Sequence, residues 1–523
     1  MASDERTSVF VEPLPAQPNF EMQQKRAKDL LRAAWAHEAE ALARVRALHP
    51  KPPDADALKL ADVQLVVARG YGFESWADLR RKIESLTRSP KQAFQAAVRS
   101  GDVARARELL ATHSEAREAV NEPAGDFGGR PVHMARKSLP MIDLLIEYGA
   151  DINLKSHWWA GPFGILESDW TSEEVDALVS RGAIVDVFGA AKHGRLERLE
   201  ELVERDPALV QARGGDGKTP LHWASTVDIA QYLIDKGADI DARDVDHEST
   251  PAQYLVRDAP DVTRLLLARG AWFDIFMAVA LRDRALIERC LREDPDALDH
   301  RTWHGKYTTV HHGRPSSKEE IGDHRGDIYR WVFDHNVTAL DVAASLGYAE
   351  IVDLLLRHAT PAQRLLAACA RGDRTAAGVV VAEHPDVVKT LTAEQMRLIA
   401  DRAHANDTAA VTLMLDLGFD PLARGVEDWE PVRWAAFHGN AVLLEPLLRH
   451  NPPVNVPDPS YGGTPLGQCV YGSLQGWSCQ SGDFPRAVQL LLDAGERPDP
   501  SYLPTGRDDV DAVLRAYFKT HRT

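Results

Sequence analysis

"DGKTPLHWASTVDIAQYLIDKGADIDARD", residues 216–244, contains the start, turn and stop signals for a pair of helices. Thr219 is placed to cap a helix with its side-chain oxygen, and Pro220 suits the first helical position, where a missing N–H costs nothing. Ile229, Leu233 and Ile234 are spaced to share one face of a second helix. Gly237 suits the left-handed conformation that ends it.

The pattern recurs from Arg130, Ser249, Val337, Glu430 and Gly463. The helix-ending glycines Gly149 and Gly182 are 33 residues apart, as are Gly237 and Gly270. A fixed period of this size means a solenoid in which each helix pair buries its apolar face against the next. A longer period overlies the first. Stretches beginning at Ala93, Val187, Ile275 and Leu365 align with one another and lack the Thr-Pro start, as if a larger block had been duplicated.

Three features occur together: the Thr-Pro-Leu-His start at Thr219–His222, the Gly-Ala-Asp close at 149–151 and 237–239, and the 33-residue step. With them the sequence resembles the ankyrin-repeat family from about Lys91 to about Asp499. The resemblance implies an all-α ankyrin-repeat solenoid of about 11–12 helix-pair units. Two spans depart from the pattern: Thr219 to Gly237 is three residues shorter than usual, and Trp159 to Asp186 is barely recognisable.

Composition sets the ends and the class. At 523 residues the chain exceeds a single compact core, which stops growing near about 250–300 residues, so an elongated array or several domains is required. The expected organisation is a mobile tail (1–19), a helical N-terminal cap (20–88), a first repeat block (89–302), an inserted loop (303–335) and a second block (336–500), which carries a small insertion (472–483), then a closing helix (501–523). In the cap Leu65, Val66, Trp76, Leu79 and Ile83 form a small core pattern, and this stretch is similar to a leader found before ankyrin arrays in bacterial proteins.

A formal charge of -17 argues against nucleic acid as a partner. The first residues have no apolar leader, and nowhere do about 18 apolar residues run together, so the expectation is a cytoplasmic chain without a membrane span. Four scattered cysteines make neither a disulfide framework nor a zinc site, and Cys290 and Cys369 read as buried thiols.

Apparent catalytic motifs dissolve into the repeat. "GGDGKT" before Pro220 lacks the first glycine of a phosphate loop, with Ala212 in its place. "HSE" at His113 and "HPD" at His384 fall at one position of the long unit, where other copies read "DPA" and "DPD". His222 is read as a local turn-fixing group, a role the resemblance implies.

The beat stops between Arg301 and His335. Five of the chain's twenty histidines lie there (His304, His311, His312, His324 and His335), among Trp303, Tyr307, Tyr329 and Trp331. The local balance is +1, six Lys or Arg against five Asp or Glu. Loops longer than about 12–15 residues are usually functional or disordered, and the aromatics favour order.

One reading is a solvated loop whose aromatics pack back on the array. A second is a recognition loop, with Arg301, Arg314, Arg325 and Arg330 able to pair with carboxylate or phosphate groups and Asp327 beside them. A third is a metal or catalytic site using His304, His311, His312 and His324 with Asp323 or Asp327, although the spacing matches no established ligand pattern. On the regular array Asp216, Lys218, Trp223, Asp246 and His247 are the binding candidates, and in the smaller insertion Tyr471 and Trp477.

The family resemblance implies a protein-binding scaffold that captures its partner along the concave face and the inserted loop. No resident metal or cofactor is expected. The acidic array favours a protein partner with basic patches, with a small molecule as a second candidate. The competing reading is an enzyme whose site is formed by the His-rich insertion.

Overall fold

The structure, a computed structural model, describes residues 10–15, 18–87, 89–135, 137–311, 314–458 and 461–521. They form two compact units, 88–359 and 1–87 together with 360–523. Both are all-α: among the described residues no strand forms, and one isolated antiparallel bridge joins Arg301 to Thr338.

In unit 88–359 short antiparallel helices follow one another in pairs, such as Pro90–Ser100 with Val103–Thr112 and Pro251–Leu255 with Pro260–Ala268. Side-chain caps open several of these helices, and the expected glycines end them. Thr226 accepts a bond from Ile229 N and Asp283 from Leu286 N, while Gly149, Gly182, Gly237 and Gly270 end their helices at φ between 89° and 94°.

The two irregular spans have local causes. Pro220–Trp223 is a single 3-10 turn and not an α-helix, which accounts for the shortened unit. Thr219 does not cap it by its side chain. Instead Thr219 N–H donates to His222 Nδ1 (3.1 Å), and His222 Nε2–H donates to Ser249 O (3.1 Å). Burial lowers the His222 pKa to about 3, so the imidazole is neutral and able to act as this two-sided brace. In 159–186 the 3-10 turn Ile165–Glu167 stands before the helix Ser172–Ser180.

The insertion 303–335 folds back onto its own unit. Its neck is closed by Thr302 N–H to Val337 O (3.0 Å) and Asn336 N–H to Thr302 O (3.2 Å). Tyr307 and Tyr329 are fully buried, stack at 5.7 Å and flank Phe276. Both hydroxyls donate to Asp274, at 3.1 Å each, and Asp274 also caps the helix Ile275–Ala280 through Met277 N. Arg325 lies against the same pair, 3.2 Å from the Tyr307 hydroxyl and over Trp272.

The second unit pairs the chain's two ends. Phe20–Trp35 and Ala39–Leu48, separated by His37 at φ 57°, pack with Leu60–Gly70 and Trp76–Thr87. Val66, Leu79 and Ile83 are buried, whereas Leu65 and Trp76 are only partly covered, Trp76 lying 5.3 Å from Phe20. Of the expected mobile tail, 1–9 and 16–17 lie outside the described residues, and Glu12 N–H donates to Gly70 O (2.8 Å), so that the remainder is docked. The closing helix Asp508–Thr520 meets this cap: Lys59 pairs with Asp508 (3.2 Å) and Arg515 lies 4.1 Å over Trp35.

Cys290, Cys369 and Cys469 are buried, and burial pushes the first two thiols up to about 12. A buried acid makes this unit pH-sensitive. Glu496 occupies the place held elsewhere by Ala150, Ala183, Ala238 and Ala271, is fully buried, and accepts Leu466 N–H at 2.8 Å. Burial raises its pKa from 4.5 to about 7 against the opposing bonds from Thr464 and Leu466.

Between those values the native state holds a proton that the unfolded chain has released, so this group's contribution to stability falls as pH rises through about 4.5–7. Glu496→Gln is therefore expected to match the parent at pH 5 and to exceed it by up to about 3 kcal/mol at pH 8 in urea unfolding. Equal stabilities at pH 8 would show that burial does not raise the pKa of this acid.

Candidate functional site

Two neighbouring hairpin tips build the site. In the first, Gly214 N–H donates to Lys218 O (2.9 Å), and the tight turn places Asp216 at φ 56° and Gly217 at φ 72°. A Cβ on Gly217 would lie 2.2 Å from Val245 Cγ2, so the second tip can close on the first only over a glycine. Val245 N–H and Asp246 N–H both donate to Asp216 O (2.8 and 3.1 Å), which brings Asp246 beside Asp216. Asp244 ties off the second tip by accepting His247 N–H (2.8 Å), Ser249 N–H (2.7 Å) and the Tyr254 hydroxyl (3.0 Å).

The insertion lies across these tips. Asp327 N–H donates to His247 O (3.0 Å), Gln253 Nε2 to Arg325 O (2.8 Å) and Val310 N–H to Glu248 Oε2 (2.9 Å). Side chains then converge. His247 Nδ1–H donates to Asp327 Oδ1 at 2.8 Å, and its Nε2 stands 3.9 Å from Asp246 Oδ2. His311 Nε2 stands 3.8 Å from Asp246 Oδ1.

Burial alone would lower the His247 pKa, yet Asp327, Asp244 and Asp246 reverse that and raise it. Burial raises the Asp246 carboxyl as well. Lys218 Nζ is 3.2 Å from Asp216 Oδ2 and is held between the rings of Trp223 (4.3 Å) and Tyr254 (4.6 Å). Lys192 lies over Trp223 as well, at 4.5 Å, and burial lowers its pKa.

The five array candidates thus form one cluster, joined by His311 and Asp327 from the insertion. Other candidates lie elsewhere. Tyr307 and Tyr329 are core residues, a correction to their reading as partner contacts, because no area of either is left for a partner. Arg325 is their neighbour in that core. Arg314 pairs with Glu320 (2.6 Å), Asp323 with Lys306 (2.9 Å), and His324 Nδ1 with the Thr308 hydroxyl (3.1 Å).

His304 packs edge-on to Trp303, and His312 lies outside the described residues. Hence the ligand set His304, His311, His324 with Asp323 or Asp327 does not assemble among the described residues. Trp303 and Trp331 make a separate exposed face with Arg330, whose guanidinium lies 5.4 and 5.1 Å from the two rings.

In the other unit the small insertion lengthens an inner helix, Pro465–Gln475, and then turns at Trp477. Ser478 OγH donates to His438 Nδ1 (2.9 Å), and Tyr471 and Trp477 stay 61% and 66% exposed. Lys192, Asp244, Glu248 and Tyr254 were missed in the sequence. Their signal was positional: Tyr254 follows one repeat behind Trp223, and Asp244 and Glu248 bracket the flagged pair Asp246 and His247.

Paired short helices joined by polar hairpin tips define a helical repeat protein whose tips carry the chemistry. The ankyrin repeats family (3 copies) matches residues 187–277, which contain both tips, and the ankyrin repeat family matches 335–364. The chain is an ankyrin-repeat protein.

It is similar to the ankyrin repeat and SAM domain-containing protein 6 of Mus musculus, 33% identical over 90 residues, 16% of this chain and 10% of that one. It is also similar to the serine/threonine-protein kinase VIK of Arabidopsis thaliana (35% over 78 residues; 14% and 17%). A third likeness is to the putative palmitoyltransferase ZDHHC13 of Danio rerio (40% over 75 residues; 14% and 12%). The chain thus spans less than a fifth of the length of these relatives. What they share with it is the repeat, which indicates a protein-interaction scaffold.

Proposed function

We propose that this scaffold captures a protein partner bearing basic patches, with the inserted segment and the hairpin tips of unit 88–359 as its binding surface. One observation carries the reading: Trp331 is 70% exposed and Trp303 39%, with the Arg330 guanidinium between them. Isolated exposed tryptophans are unfavourable in water, whereas Trp and Arg dominate the energetics of interface centres.

The face is ordered before binding. His335 packs 4.0 Å from Trp303, and Asp327 Oδ2 lies 3.5 Å from Arg330 Nε, so little side-chain entropy remains to be lost. The formal charge of -17 over the chain favours approach of a basic partner. All four cysteines are free, which fits the proposed cytoplasmic setting. No helix among the described residues is long and apolar enough to cross a membrane.

The test places a photo-crosslinking amino acid at position 331 in the native host, identifies the captured protein and measures its affinity in purified form. Trp303→Ala and Trp331→Ala are each expected to weaken binding about 30-fold, close to 2 kcal/mol, with Arg314→Ala within about threefold of the parent. Unchanged affinity in both tryptophan variants refutes this surface.

A further inference from the structure

We propose that Asp216, Asp246, His247 and His311 form a binding site for a divalent first-row transition cation of the zinc class. Donor atoms of Asp216, Asp246 and His247 all lie within 4.8 Å of one another, so small side-chain rotations around a cation about 2.0–2.2 Å from each ligand would complete coordination. His311 lies at the edge of this trio, its Nε2 3.8 Å from the Asp246 oxygen that His247 does not face.

The imidazoles are arranged as ligands. A metal-bound histidine donates its other ring N–H to a carboxylate, which fixes the ring and strengthens the ligand. His247 already does this toward Asp327, at 2.8 Å, leaving Nε2 directed at Asp246. His311 has the same partner in waiting. Glu248 is 1% exposed, its Oε1 has no hydrogen-bond partner, and that atom is 3.9 Å from His311 Nδ1, which is itself without a partner.

An unsatisfied carboxylate oxygen buried beside an unsatisfied imidazole is unfavourable as it stands. A cation on His311 Nε2 would fix the proton on Nδ1, and a slight ring rotation would join it to Glu248. Both histidines would then be backed by a buried acid and both would face Asp246.

The chemistry of the donors selects the ion. Two carboxylates with two imidazoles suit zinc, manganese or ferrous iron, whereas calcium and magnesium favour oxygen alone. Lys218, 3.2 Å from Asp216 Oδ2, must share that carboxylate with the ion. The site is distinct from the Trp303–Arg330–Trp331 face, whose tryptophan variants test partner capture without removing any of its donors.

The experiment titrates the chelator-stripped full-length protein with Zn2+ by calorimetry, and with Co2+ by visible absorption, which reports coordination directly. One equivalent is expected. Asp246→Asn and His247→Gln should each weaken binding at least tenfold, and Asp327→Asn, which removes a positioning residue, by about 10–100-fold with an altered Co2+ spectrum. His324→Gln should match the parent. Circular dichroism shows which variants remain folded, and His311→Gln, altering a side chain on the rim of the cluster, gives a second ligand test if the buried replacements unfold. Absence of stoichiometric binding, or binding that survives replacement of Asp246, His247 and His311, overturns the site.

Discussion

Asp274→Ala is expected to release the insertion from the array. The substitution strands two fully buried tyrosine hydroxyls that donate to this carboxylate, and it removes the cap of Ile275–Ala280. Each orphaned buried hydroxyl costs about 1–3 kcal/mol and the lost cap about 1 kcal/mol, so the local loss is about 3–7 kcal/mol. Asp274→Asn keeps an acceptor and the cap, and hydroxyl rotation accommodates the amide, so it should retain the docked insertion.

The two variants also separate by pH. Burial holds the Asp274 pKa at about 6, against the bonds from Met277, Tyr307 and Tyr329 that lower it. The native carboxyl therefore keeps its proton up to about pH 6 while the unfolded one loses it near 3.8, and its stabilising contribution declines as pH rises through that window. The deficit of the Ala variant is thus largest below pH 4 and shrinks toward pH 7, whereas the Asn variant overtakes the parent at pH 8. Hydrogen exchange of amides 307–329, corrected for intrinsic rates, measures both effects. Protection in Asp274→Ala equal to the parent would mean that the tyrosine pair does not hold the insertion.

What the sequence disclosed and what it concealed divide by range. Caps and stops are written within a few residues: Thr226 bonds three positions ahead, and Gly237 needs only its own backbone. The glycine stops, recurring at 33-residue steps, revealed the fold, whereas the Thr226 cap went unread. The irregular unit was legible as a shortened span because a 3-10 turn uses fewer residues than the helix it replaces.

The insertion's role depends on partners that no periodicity links. His247 and Asp327 are 80 positions apart, and Tyr329 and Asp274 are 55 apart. Aromatic composition therefore predicted order in the segment but could not tell Tyr329, an interior anchor, from Trp331 two residues on, which faces solvent. The same limit explains the histidines: composition drew attention to the cluster of five, whereas the array's own tips selected His311 and left His324 on Thr308.

Gly326→Ala should disturb the candidate site without altering any of its side chains. Gly326 sits at φ 77°, and a Cβ there would lie 2.2 Å from Ser249 Oγ, 2.5 Å from His247 O and 2.7 Å from Glu248 O. Two of these atoms are backbone carbonyls of the second tip and cannot swing aside, so the insertion must lift. The bonds flanking the glycine then go together: Gln253 to Arg325 O, Asp327 N–H to His247 O, and Ile328 N–H to Ser249 Oγ.

Left-handed strain contributes about 1–2 kcal/mol and each lost bond about 1 kcal/mol, giving a local loss of about 4 kcal/mol. Gly305, in the same insertion at φ 56°, has open space where a Cβ would point, with nothing within 4 Å, so Gly305→Ala carries the strain without the collision and serves as the control. Tryptic cleavage at Arg325 and Arg330 should accelerate in Gly326→Ala and remain slow in Gly305→Ala, with Leu196–Arg205 protected in both. Because lifting the segment withdraws Asp327 from His247 and displaces Trp331, zinc affinity and partner capture should fall together in this one variant. Cleavage at the parent's rate would show that the insertion closes on the tips by contacts other than these.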